Sequence, residues 1–130
     1  MDEKVKYWLE LAEYDMDTAR VMLKSGRYLY VGFMCHQVIE KSLKAGVVKV
    51  RGGIPPYTHN LELLARESSL GGSLTEDQTR QVRQLEPLNV ECRYPADRDL
   101  IAKALTPEKC HALLKATEDL YRWIRERLSD

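Results

Sequence analysis

A chain of 130 residues with 44% hydrophobic and 31% charged side chains can fill one core but is too short for two, so residues 1–130 are expected to form a single domain. Twenty basic residues balance twenty acidic ones, which excludes a global electrostatic pull toward nucleic acid or acidic membranes and leaves such binding to local patches. Cys35, Cys92 and Cys110 are odd in number and widely spaced, which suits a reducing compartment, excludes a disulfide framework and offers no metal-ligand spacing; no metal or other cofactor is expected.

Met1-Asp-Glu-Lys4 runs directly into an amphipathic pattern, with no basic segment followed by an apolar one, and no run of about 18 apolar residues occurs anywhere. A cytoplasmic, non-membrane protein is the expectation. Val5, Trp8, Leu9, Ala12, Met16, Ala19, Met22 and Leu23 keep helical period from Glu3 to Lys24, and Gly26 is placed to end this helix in a left-handed cap. A second helix is predicted from Tyr28 to about Val50, where Arg51-Gly-Gly-Ile-Pro-Pro56 forbids continuation. Thr58 is the predicted N-cap of a short third helix with Leu61, Leu64 and Ala65 inward, which puts His59 in its first turn at the positive dipole end. Thr75 followed by Gln78 has the capping-box pattern and opens a fourth helix that Pro87 kinks or finishes. Asn89 to Leu100 lacks periodicity, and Pro95 biases Tyr94 toward an extended backbone, so this segment reads as mostly loop, with Arg93 and Tyr94 among its candidate functional residues. Thr106-Pro-Glu108 starts the last helix, whose stripe runs from Cys110 to Leu128. No segment alternates with a period of two. The predicted fold is all-α, an antiparallel up-and-down bundle of about five helices, three long and one or two short.

The second helix carries the most concentrated polar chemistry. His36, Glu40 and Lys44 recur at four-residue intervals and Gln37 and Lys41 lie on the adjoining row, whereas Val31, Met34, Cys35, Val38, Ile39, Leu43 and Val47 face the other way. One side suits a core and the other a functional surface. On an exposed face, Glu40 and Lys44 would form an ordinary intrahelical pair contributing only about a few tenths of a kcal/mol.

Four stretches together resemble the HEPN domain family. They are the first helix with Ala12, Asp15 and Ala19, the His36-Gln-Val-Ile-Glu-Lys-Ser-Leu-Lys-Ala45 core, the Tyr57-Thr-His-Asn-Leu61 entry to the third helix, and Arg93-Tyr-Pro95 before the last helix. The resemblance implies a helical bundle, commonly a homodimer, often encoded beside a minimal nucleotidyltransferase with which it forms a toxin and antitoxin pair or a two-subunit complex. Many relatives resemble metal-independent endoribonucleases that use an arginine followed after four to six residues by a histidine, a pairing in which imidazole moves the 2′-hydroxyl proton and guanidinium stabilises phosphorane charge. Here Arg98, Asp99 and Leu100 occupy the three histidine positions after Arg93.

The leading reading is therefore a noncatalytic module that binds a nucleotide or related anion, with His36, Glu40, Lys41 and Lys44 from the second helix, His59 from the start of the third, and Arg93 and Tyr94 from the loop as its candidate lining. Two alternatives stand beside it. One is an endoribonuclease toxin with a divergent site in which His36 or His59 meets Arg93 in space; the other is a purely structural interaction subunit.

Overall fold

The computed structural model describes residues 1–129, apart from the side chain of Cys92. Among these residues there are six α-helices and no strand: α1 (Glu3–Lys24), α2 (Tyr28–Arg51), α3 (Leu61–Glu67), α4 (Glu76–Leu85), α5 (Pro95–Ala104) and α6 (Pro107–Leu128). Short 3-10 turns at Gly71–Ser73, Glu86–Leu88 and Val90–Cys92 link the middle of the chain. None of the helices is long and apolar enough to cross a membrane.

The predicted punctuation of the long helices is present. Gly26 takes φ +74° just past α1, and α2 stops at Gly52 with φ +71°. Both halves of the Thr75–Gln78 capping box are formed, and Thr106 accepts from the Lys109 amide in front of Pro107.

Two local expectations change. The first concerns the segment from Asn89 to Leu100, of which the second half is helical. Tyr94 is extended, at φ −72° and ψ 156°, as the following proline requires, but Pro95 is the first residue of α5, where its missing amide costs nothing. A proline that reads as a breaker is here a start signal. The second concerns α3, which begins after Asn60, whose side chain accepts from the Leu63 amide; Thr58 instead caps the Asn60 amide. His59 thus precedes the helix.

The long helix α2 is the axis of the domain. It packs along α1, which runs antiparallel to it, and along α6, which runs parallel to it. The Tyr28 carbonyl meets Cys110 at one end of α2, and Lys49 donates to the Leu128 carbonyl at the other, 2.9 Å away. The short helices carry the chain back between those ends. Because neighbours cover it on several sides, α2 buries residues all round, from Val31 and Cys35 to Val47 and Val48. Core contributions from α1 (Leu9, Ala12, Met16), α3 (Leu61, Leu64), α4 (Val82, Leu85) and α6 (Leu114, Leu120, Ile124) meet these in one cluster.

At Gly46 the end of α3 comes close to α2. A Cβ there would stand 2.8 Å from the Ser68 Cβ and 3.3 Å from Leu70 Cδ1. Gly46→Ala is expected to lose about 1–3 kcal/mol through overpacking despite alanine's better helix propensity, as measured by urea denaturation. A gain in stability would show that the end of α3 yields freely.

Candidate functional site

Four-residue spacing puts His36, Glu40 and Lys44 on one line of α2, and the surrounding helices and the loop from Gly52 to Asn60 remove that line from solvent. Their exposures are 0%, 3% and 8%. A stripe expected as a surface is an interior one.

Glu40 is its centre. Its Oε2 accepts from Lys44 Nζ at 3.1 Å, and its Oε1 lies 2.8 Å from His59 Nδ1 and 3.7 Å from His36 Nδ1. The Lys44 ammonium also sits 5.6 Å from the centre of the Trp8 ring, so α1 supplies a second, weaker neighbour for that charge. Burial changes the weight of the Glu40–Lys44 pair. In this setting removal of either partner strands a charge in low dielectric.

His36 has no exposure, and burial pulls its pKa down from 6.5 to about 4; the neighbouring charges of His59 and Arg93 act in the same direction, against the pull of the Glu40 carboxylate and the His59 backbone. The ring is neutral at pH 7. The Gln37 side-chain amide lies 3.4 Å from Nδ1, and Nε2 is a buried nitrogen without a hydrogen-bond partner. His36 is therefore an interior imidazole and cannot touch a large ligand.

His59 is placed differently. More than half of its side chain is exposed, and Nδ1 is held by Glu40. Donation from Nδ1 to an ionised carboxylate leaves Nε2 as an outward acceptor in the neutral ring and as a donor in the protonated one. Arg93, just past the Val90–Cys92 turn, is exposed and donates to the Glu86 carbonyl at 3.3 Å, and its charge is felt at His36. The Glu86 carboxylate accepts from the Leu61 amide at 2.5 Å. At the start of α3 the Leu61 amide is thus taken by Glu86 and the Leu63 amide by Asn60.

The fold thus gathers His36, Glu40, Lys44 and His59 and brings Arg93 near them. Lys41 is directed elsewhere, to a close ion pair with the buried Asp15 of α1. Tyr94 is 80% exposed at the start of α5 and stacks on no other ring. Of the positions where a histidine would follow Arg93 at the ribonuclease spacing, Arg98 donates to the Tyr30 hydroxyl at 3.2 Å and Asp99 and Leu100 are exposed. Among the described residues no cluster of three or more His, Cys, Asp or Glu could hold a metal ion. The Asp15–Lys41 pair and the Trp8–Lys44 contact lie outside what helical spacing predicts; the place of Asp15 beside the apolar stripe of α1 is the one sequence signal for them.

The HEPN domain model matches residues 5–127. The chain belongs to the HEPN family. Two solved structures share its fold. TT1696 from Thermus thermophilus aligns over 96% of this chain and 98% of its own, with a TM-score of 0.79 and 22% identity. ST0689, described as an archaeal HEPN homologue, aligns over 99% and 100%, with a TM-score of 0.66 and 17% identity. At these identities the likeness concerns the fold alone. No curated protein matches the chain. Within this HEPN domain the distinctive chemistry is a buried carboxylate that ties an exposed imidazole to a lysine.

Proposed function

We propose that this HEPN domain is a noncatalytic module that binds a nucleotide or a similar anionic ligand, and that it acts as the homodimeric partner of a minimal nucleotidyltransferase in a toxin–antitoxin-like pair. The observation that carries the binding half is His59, exposed and fixed through Nδ1 by Glu40, with the charge of Arg93 felt at the adjoining His36. Glu40 is matched by Lys44; beyond that pair stand the exposed His59 imidazole and the exposed Arg93 guanidinium, whose charge is felt at His36. Both groups suit phosphate oxygens. The partner half rests on family membership and on the position of this site at the domain surface.

Binding is tested by calorimetric titration with ATP. Arg93→Ala and His59→Ala are each expected to weaken binding about tenfold or more, the worth of one charge-assisted hydrogen bond, with the circular dichroism of the domain unchanged. Equal affinity in all three proteins would sink the assignment. Copurification with the product of an adjacent nucleotidyltransferase gene tests the partner half; two proteins that elute separately at micromolar concentration would refute it.

One observation favours a second reading, metal-independent RNA cleavage. The Glu40–His59 contact has the form of a carboxylate that sets the tautomer of a general base. In that case RNA incubated with chelator would be cut by the native protein and left whole by His59→Ala. Uncut RNA at stoichiometric protein excludes it.

A further inference from the structure

We infer that binding of an anionic ligand at His59 takes up a proton on that ring, so that affinity for the ligand falls as pH rises; this rests on the binding reading above. The way the imidazole is held sets the coupling. Nδ1 lies 2.8 Å from Glu40 Oε1, and the same carboxylate accepts from Lys44 Nζ at 3.1 Å, so its oxygens receive hydrogen and give none. Nδ1 therefore carries hydrogen in both forms of the ring, and Nε2 alone gains or loses one. The His59 side chain is 56% exposed, whereas the Glu40 side chain behind it is 4% exposed. A neutral ring thus offers a ligand only the lone pair of Nε2, which repels a phosphate oxygen. The protonated ring offers a charged donor, which the same oxygen accepts.

Charge balance points the same way. The groups that face His59 are Glu40 and His36 of α2, with Lys44 of the same helix behind Glu40, while Arg93 acts on His36. Glu40 and Lys44 cancel, so this cluster is neutral with a neutral His59 and positive with a protonated one. His36 adds nothing to the change, because burial holds that ring neutral down to about pH 4. The added proton on His59 has its counter-charge shared already, since Glu40 answers Lys44 as well. An anion at Nε2 completes the balance. Proton and anion therefore favour each other's binding by the same factor, as linkage requires.

The test is calorimetric titration of the full chain with ATP from about pH 6 to about pH 9, a span that includes imidazole titration, in two buffers of unequal ionisation heat. ATP itself gains negative charge as pH rises, which alone would strengthen its binding to a cationic site. The ligand and His59 thus act with opposite sign. The parent is expected to lose affinity about tenfold or more across the range and to take up part of a proton on binding. His59→Gln keeps a hydrogen-bonding group at an exposed position but has no proton to gain, so its affinity should not fall with pH and its proton uptake should be smaller. His111, exposed on α6, is present in both proteins and cancels in the difference. Equal proton uptake in the two proteins, or affinity that rises with pH in both, overturns the coupling and leaves the binding reading standing. If the variant binds too weakly to compare, the parent's proton number at the alkaline end, where ATP is fully ionised, decides: uptake supports the coupling and its absence removes it. A parent that binds no ATP at any pH brings down both readings.

Discussion

Glu40→Ala is expected to remove about 3–5 kcal/mol of stability, the cost of breaking a buried ion pair by deleting one partner. Glu40 is 3% exposed and answers Lys44 and His59 at once, with His36 slightly farther off. Without it the Lys44 ammonium, on a side chain only 10% exposed, keeps no counter-charge and only the Trp8 face as a neighbour. The loss comes from the stranded cation more than from the bond. A double variant, Glu40→Leu with Lys44→Met, should therefore recover most of it, because well-packed apolar replacements avoid the desolvation of two charges. Urea denaturation of the two variants beside the parent decides this. A cost below about 1 kcal/mol for Glu40→Ala would mean that the pair behaves like an exposed one. Recovered stability without recovered ligand affinity would further show that the cluster is retained for His59 rather than for the fold.

The second large effect lies in pH. In the folded domain burial holds the His36 imidazole at about 4, against 6.5 for an unperturbed ring. The unfolded chain therefore binds the proton first as pH falls. His36 contributes its full share of stability above about 6.5 and loses it progressively down to about 4, below which both states are protonated and no further loss follows. The share amounts to about 3 kcal/mol, at 1.36 kcal/mol per unit of displacement. The groups facing the ring are Glu40 and Gln37 from α2, the His59 loop and Arg93, and the carboxylates of the whole domain add their own acid dependence. The difference between the parent and His36→Leu isolates the imidazole, since leucine has no proton to gain. Unfolding free energies measured in steps across this range should fall more steeply in the parent. Parallel curves would contradict a buried neutral histidine.

These two results together would separate the roles of the two histidines. His36 supplies a neutral floor whose ionisation the fold resists, whereas His59 offers a free nitrogen to the outside. Their spacing in sequence, 36 and 59, gives no sign of this division. It arises because the loop from Gly52 to Asn60 folds back along α2 after two left-handed glycines and the Pro55-Pro56 pair, and delivers His59 onto the carboxylate that His36 approaches from one turn earlier.

Elements with local signals are legible in the chain: the periods of α1, α2 and α6, the glycines that end α1 and α2, the Thr75 and Thr106 caps, and, through four ordered motifs, the family. Each rests on backbone rules that act within a few residues. Pro95 shows the limit of such rules, since the same residue can stop one helix or start the next, and only the packing of Ile101 and Leu105 against the core selects the start. It takes the packed fold to establish that α2 is covered on several sides, that Lys41 answers Asp15 while Lys44 answers Glu40, that Glu86 caps the Leu61 amide at the start of α3, and that His59 rather than His36 reaches solvent. Burial and charge pairing are properties of what surrounds a residue in space. Helical spacing can align His36, Glu40 and Lys44, but the electrostatic meaning of that line depends on neighbours drawn from α1, the Gly52–Asn60 loop and the turn before Arg93, none of which lies beside it in sequence.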